Sequence, residues 1–254
     1  MRPVILMHGI FGFDQVKVGP VKVRYFRGIE RAIEKAGHPL LVNRVHPTAP
    51  IRKRAAQARE SIFNWLEETG NLSKKAIIVA HSMGGLDARY MVSKLGMDEH
   101  VAAVVTIATP HRGSALADFW MENRAMQGVG LPVLNWLGID GQGGNDLTRA
   151  AAKQFNEDVL DVPHVRYFSV SAACPAVRVP LVLQMGYWIV QKAEGENDSM
   201  VSVTSAQWGE HLGTWPVHHM HQVNHRFPID SVCGMGNIAP RYVEALAEVE
   251  GRLG

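Results

Sequence analysis

One serine in this chain stands where it could act as a nucleophile. Ser82 lies in Ala80-His81-Ser82-Met83-Gly84-Gly85. Before it runs the apolar, β-branched stretch Lys75-Ala76-Ile77-Ile78-Val79, and after it the helix-like Leu86-Asp87-Ala88-Arg89-Tyr90-Met91-Val92. A sharp strand-to-helix turn of this kind lifts one hydroxyl above the edge of a sheet. Small residues two before and two after the serine let the turn close; here they are Ala80, where glycine is usual, and Gly84. The Met83 N–H, at the start of the helix, faces any negative charge that builds beside the hydroxyl. An ordinary glycine-rich turn with an incidental serine has the same spelling, so its partners decide.

A serine hydroxyl needs a base, and the base needs an orienting carboxylate. On this kind of turn the chain order is Ser, then Asp or Glu, then His. Gly195-Glu196-Asn197-Asp198-Ser199-Met200-Val201 is a polar turn that offers Asp198, and Trp215 to His225 supplies several imidazoles. Upstream, the strand-like Pro3-Val4-Ile5-Leu6-Met7 runs into His8-Gly9-Ile10-Phe11-Gly12-Phe13-Asp14. Glycines there let the backbone turn N–H groups inward, so Ile10 and Met83 are the candidate oxyanion donors; a tight strand exit would look similar. Such a donor supplies roughly 3–4 kcal/mol of transition-state stabilisation. His8 precedes the serine and reads as a structural hydrogen-bonder.

Together, H-G-I-F-G-F-D, A-H-S-M-G-G, T-P-H-R-G-S-A-L-A-D, G-E-N-D-S-M-V and H-M-H-Q-V-N resemble the bacterial true-lipase family of α/β-hydrolases, relatives of the Pseudomonas and Proteus triacylglycerol lipases. The likeness runs from about residue 3 to about residue 228. It implies Ser82 as nucleophile, Asp198 as the acid of G-x-N-D-G-L-V, His219 as the base of H-L-D-x-V-N, and Ile10 and Met83 as oxyanion donors. It also implies an arginine bracing the oxyanion loop, for which Arg52 is the best match. The aspartate of H-L-D is a calcium ligand in that family, and His221 stands in its place here. Calcium takes hard oxygen ligands, so a family-type calcium site is not expected and no cofactor is needed. Asn224 and backbone hydrogen bonds would hold the loop instead. His218, His219, His221 and His225 lie close enough to suggest zinc, but metallation would compete with His219 acting as a neutral base.

The 254 residues suit one α/β domain spanning 1–254, and 46% apolar with 20% charged residues is a globular composition. A net charge of +2 and the lack of aromatic-basic motifs argue against a nucleic-acid partner. The basic run Arg52-Lys53-Arg54, with Arg59, reads as the solvated face of a helix that buries Ile62, Trp65 and Leu66. Cys174 and Cys233 form no C-x-x-C pattern and read as free thiols. No apolar run of about 20 residues could span a bilayer. The first strand begins almost at Met1 with no signal peptide ahead of it, so the expectation is a cytoplasmic protein, or a secreted one whose leader was removed.

Buried strands alternating with amphipathic helices predict a mostly parallel sheet covered on both faces, which the resemblance implies is the α/β-hydrolase fold. Helices are expected over Arg24–Ala36, Ile51–Glu68 and Ile238–Leu253, and strands at Leu40–Val42, Val101–Ala108 and Val165–Val170. From 115 to 145 the rhythm breaks into an apolar, glycine-punctuated stretch with Phe119, Trp120, Met126, Leu134 and Trp136. The resemblance places a helical lid there, which could meet lipid when open. Helices packed on the sheet with a long loop are the plainer account. Thr109 to Ser114 follows a strand's C-terminal end and should line the crevice; His111 precedes the acid and is not expected to be the base.

The expected activity is hydrolysis of carboxylic esters, with triacylglycerol or another acyl ester at a lipid–water interface as substrate and no protein partner implied. An esterase on short soluble esters, or a hydrolase of thioesters or polyesters, would use the same residues. A silent, ligand-binding version of the fold would be expected to lack a triad member, and all three are present.

Overall fold

The computed structural model describes residues 1–10, 15–18, 21–123 and 142–254. Strand β1 (Val4–Met7) is followed by an antiparallel pair, β2 (Gln15–Val18) and β3 (Val21–Arg24). Strands β4 (Leu40–Asn43), β5 (Ala76–His81), β6 (Val101–Ile107), β7 (Arg166–Ala172) and β8 (Glu210–Trp215) complete the main sheet. Its order is β4-β1-β5-β6-β7-β8, and every pairing is parallel. This is the parallel sheet that the alternation of strands and helices predicts, in the α/β-hydrolase arrangement that the resemblance implies.

The central strands β1, β5 and β6 are buried on both faces, which is why they read as apolar runs and not as alternating patterns. Val4, Leu6, Ile77 and Val79 face one helical layer, α1 (Ile29–Lys35) and the C-terminal helix Ala239–Leu253, through Ile29, Ile33, Tyr242 and Leu246. Ile5, Met7, Ile78 and Ala80 face the other, α2 (Ile51–Glu68) and α3 (Gly84–Lys94), through Ala55, Ile62, Leu66, Ala88 and Met91. Each fully buried Leu or Ile contributes about 1.5–3 kcal/mol. The strand ends that carry the candidate residues are therefore rigid.

Connections leave β1 and β5 in opposite directions: β1 leads to β4 on one side, β5 to β6 on the other. Between their C-terminal ends lies the crevice where open α/β sheets place ligands. Met7 pairs with Ala80 there, so His8-Gly9 and Ser82 emerge side by side.

One expectation needs correction, and another falls largely outside the described residues. The first helix starts at Ile29 instead of Arg24, because Arg24 is taken into the β2–β3 ladder opposite Gln15. Phe26 still packs in the core the periodicity assigned to it. Of the 115–145 segment, the helix α4 (Ala115–Glu122) and a 3-10 turn over Gln142–Leu147 are described, whereas 124–141 lies outside the described residues, and with it most of the expected lid. Cys174 and Cys233 are both free thiols. No helix among the described residues is long and apolar enough to cross a membrane.

Candidate active site

Ser82 follows β5 directly and takes φ +54°, a left-handed conformation unusual for a residue with a Cβ. Its backbone is pinned on both sides: its N–H donates to Ile107 O at 2.8 Å, and its carbonyl accepts from Thr109 Oγ1 at 2.7 Å. A Cβ on Gly84 would come within 2.8 Å of the carbonyl oxygens of Met7 and His8, so only glycine lets the helix start this close to β1. On the opposite wall, a Cβ on Gly9 would stand 2.8 Å from Ser82 Cβ and 3.2 Å from its Oγ. The loop after β1 thus rests on Ser82. Ile10 and Met83, the two expected oxyanion donors, pack in one cluster with Ile51 and Leu86.

Asp198 and His219 meet as the motif order requires. His219 Nδ1 lies 2.7 Å from Asp198 Oδ2, and the His219 N–H donates to the Asp198 carbonyl at 2.8 Å, so side chain and backbone fix the pair twice. Asp198 Oδ1 accepts the N–H groups of Met200 and Val201 at 3.0 and 2.8 Å. These donors hold the carboxylate in its aim. With Nδ1–H directed at Asp198, the Nε2 lone pair of His219 is left for a substrate-side proton. The His219 ring packs on His81, the residue before Ser82, at 4.7 Å between centroids.

The acid turn carries a strained residue. Ser199 has φ +91°, and its buried hydroxyl lacks a partner among the described residues. The motif it resembles has glycine there. Left-handed strain costs about 1–3 kcal/mol, more than the roughly 0.5–1 kcal/mol that a glycine adds in unfolded-state entropy. Ser199→Gly should therefore raise Tm by a few degrees in a thermal melt. A lower Tm would mean that the side chain supports the turn.

The arginine that braces the loop after β1, where the oxyanion donor is expected, is Arg54 and not Arg52. Arg52 is exposed on α2, whereas Arg54 is wholly buried. Its Nη2 donates to His8 O at 2.8 Å and Gly9 O at 3.2 Å, its Nη1 to His46 O at 2.8 Å, and its Nε to Asp87 Oδ2 at 2.8 Å. Two residues turn a helix through about 200°, so the two arginines point to opposite sides. Arg54 shares the face of Ile51, Ala55 and Ala58, a phase the run of three basic residues concealed. Burial pushes the Asp87 carboxyl up to about 6, with Arg54 opposing.

His8 is structural: Val45 N–H donates to its Nε2 at 3.3 Å, so its Nδ1–H donates to Gly9 O at 2.9 Å. Burial first, then Arg54, lowers its pKa to about 4. His111 lies apart from the pair, with Nε2 3.0 Å from Thr106 Oγ1 and its ring stacked on Trp208. Burial, with Arg89 and Arg112, holds it well below the usual histidine range. The start of α4 is tied to the acid turn by Ser114 Oγ, which donates to Met200 O at 2.6 Å.

Among the described residues, the His, Cys, Asp and Glu side chains that gather closely enough for an ion are His218, His221 and Asp230, with ligand atoms within 4.8 Å. Most of the cluster's polar atoms already have partners. His218 Nδ1 accepts the His221 N–H at 3.3 Å, so its Nε2–H donates to Asp230 Oδ1 at 2.8 Å. His221 Nε2–H donates to Gly236 O at 2.7 Å, and its Nδ1 faces Asp230 Oδ2 at 3.3 Å. An ion on His218 Nε2 would need the proton on Nδ1, against the N–H already pointing there. One carboxylate among three groups also suits calcium poorly. Burial alone would raise the Asp230 pKa, but the Phe227 N–H and the two imidazoles outweigh it and hold the carboxyl below its usual value. The cluster is a clamp, fastening the short helix Pro228–Val232 to the loop that carries His219. Asn224, expected to help, does so through its side-chain N–H groups, which donate to Arg27 O at 2.6 Å and Asn237 Oδ1 at 2.8 Å.

Known proteins resemble this chain. The family description "PGAP1-like alpha/beta domain" matches residues 54–126, from α2 through the Ser82 turn into α4. Triacylglycerol lipase 2 of Saccharomyces cerevisiae is 26% identical over 84% of this chain and 77% of its own length. A triacylglycerol lipase of Vibrio cholerae is 34% identical over 46% of this chain, a match that spans only 35% of that protein. The mature form of the Bacillus licheniformis lipase BlEst2 superposes with a TM-score of 0.73 at 21% identity, covering 91% of both chains. Fold and relatives together make this chain an α/β-hydrolase of the lipase and carboxylesterase superfamily.

Proposed function

We propose that this enzyme cleaves carboxylic esters of apolar acids, as triacylglycerol lipases do, through Ser82, His219 and Asp198, and that it is nearest to the Pseudomonas- and Proteus-like true lipases. The observation that carries the reading is the Asp198–His219 pair, 2.7 Å apart and fixed also through the backbone, beside the left-handed serine turn. His219 Nε2 takes the Ser82 proton as Oγ attacks the acyl carbonyl, and Asp198 stabilises the imidazolium. The N–H groups of Ile10 and Met83 receive the oxyanion. Collapse expels the alcohol with the proton from His219, leaving an acyl-serine ester. Water, deprotonated by the same imidazole, then releases the fatty acid and restores the hydroxyl. Every step uses side chains of one domain, and no metal or cofactor enters.

The test is hydrolysis of p-nitrophenyl esters from acetate to palmitate and of emulsified triolein, each with and without EDTA. Cleavage of palmitate and triolein, unchanged by EDTA, is expected. Activity confined to short esters would make the enzyme an esterase, and no cleavage of any ester would overturn the proposal. A loss in EDTA that calcium restores would reinstate the family's ion; restoration by zinc alone would assign one to His218, His221 and Asp230.

A further inference from the structure

Three buried side chains beside the reacting groups have no part in proton transfer, yet they are joined through the core. Gln222 Nε2–H donates to Asp198 Oδ2 at 2.7 Å, the oxygen that also meets His219. Gln222 Oε1 stands 3.1 Å from His81 Nε2, and His81 Nδ1 stands 2.7 Å from the Tyr25 hydroxyl. Tyr25 in turn accepts the Gly9 N–H at 3.2 Å. The series begins at the carboxylate and ends on the backbone of the oxyanion loop. Tyr25, His81 and Gln222 are 7%, 1% and 0% exposed, so water does not compete for these bonds.

Chemistry sets the direction of each bond. A carboxylate only accepts, so the amide nitrogen of Gln222 must face Asp198 and its oxygen must face His81. His81 then carries its proton on Nε2 and accepts at Nδ1, so Tyr25 gives its O–H to His81 and has a lone pair left for Gly9 N–H. All four donors point toward Asp198. Bonds aligned in this way polarise one another in a low-dielectric interior. Burial first, then His219, holds His81 well below the usual histidine range, which keeps it in this neutral form. Because the Gly9 N–H is committed to Tyr25, the loop's donor to a substrate oxyanion falls to Ile10. Gln222 is held from behind as well, its carbonyl accepting the Tyr242 hydroxyl at 2.9 Å.

We propose that Tyr25, His81 and Gln222 are positioning residues that lock the acid and the oxyanion loop into one hydrogen-bonded unit. The inference rests on the roles given above to Ser82, Asp198 and His219. In this unit the aim of His219 and the placement of the Ile10 N–H are set together. Displacing either end displaces the other.

The experiment compares wild type, Tyr25→Phe, Gln222→Met, their double variant and Ser82→Ala, all as the full chain. An alkyl phosphonate that esterifies an active serine counts competent sites, so partly unfolded preparations are corrected for. The readouts are kcat and KM for p-nitrophenyl butyrate across about pH 5 to 9. Each single variant should lose at least about tenfold in kcat per titrated site, with KM within about twofold. Gln222→Met should also move the acidic limb of kcat/KM upward by about half a unit, because a carboxylate with one donor fewer holds the imidazolium more strongly. The double variant should be no more than about threefold worse than the weaker single, since either change opens the same chain. Single losses that multiply in the double, or a fall in Tm with kcat and the acidic limb unmoved, would overturn the inference. A fully active Ser82→Ala would instead remove the site assignment beneath it. A dead Ser82→Ala beside wild-type rates in the other variants would reject the positioning role alone.

Discussion

Ser82→Ala should abolish turnover of every ester, with kcat lower by roughly 10⁴–10⁶-fold. Alanine keeps the Cβ that the left-handed turn already accommodates, and the backbone bonds to Ile107 and from Thr109 do not involve the hydroxyl. Circular dichroism and Tm should therefore match wild type. The remaining rate would come from oxyanion donors acting on a bound ester with water as the nucleophile, and it should no longer respond to a serine-directed phosphonate. Asp198→Asn should cost less, about 10⁴-fold, by offering His219 the wrong hydrogen-bond partner. A Ser82→Ala protein that still cleaves butyrate at the wild-type rate would place the nucleophile elsewhere and sink the triad.

Arg54→Met should produce the largest loss of stability of any single change near the site. It removes the guanidinium from four acceptors, among them the carboxylate of Asp87, which like Arg54 is fully buried. Breaking a buried ion pair from one side costs about 3–5 kcal/mol, or on the order of 10 °C in a chain of this size. The sign of its pH dependence follows from Asp87. Its folded pKa of about 6 lies above the ordinary aspartate value of 3.8 even with Arg54 in place. The folded protein thus holds that proton more tightly than the unfolded chain, and the associated stability is present below about 4 and lost as pH rises through about 6. Without Arg54 the pKa climbs further, so the deficit against wild type should be small at pH 5 and large at pH 8. Equal deficits at both values would show that Asp87 is not the group responsible. Activity should also fall, because the carbonyls of His8 and Gly9 lose the donor that holds their loop against Ser82.

The strand-to-helix turn at Ser82, the acid in its polar turn and the order of the three groups were all legible in the sequence, since each depends on local spelling. Ile51–Glu68 was legible to the residue because apolar periodicity and Gly70 mark both ends. Arg54 escaped for a physical reason. A buried arginine with four acceptors looks like its solvated neighbours until the positions of His8, Gly9 and Asp87 are known. Arg24 shows the same limit: pairing with Gln15 is a long-range event that helix periodicity cannot register. Gln222 and Tyr25 lie 197 residues apart and have no motif linking them; only the fold puts both on His81. Ser199 could have been suspected from the glycine it replaces, but its strain is a dihedral angle and becomes visible only in coordinates.

The contact between Gly9 and Ser82 also bears on how this enzyme can be re-engineered. With a hypothetical Cβ at Gly9 only 2.8 Å from that of Ser82, the two walls of the reaction centre tolerate no added bulk, and Gly84 is confined as tightly against the carbonyls of Met7 and His8. Randomising these positions would mostly yield inactive protein, whatever the substrate. Libraries aimed at acyl length or handedness should leave residues 7–10 and 80–85 untouched and diversify the apolar clusters that Met200 of the acid turn joins, through residues such as Leu116, Tyr187 and Met220. The fold separates the part that performs the chemistry from the part that can learn a new ester.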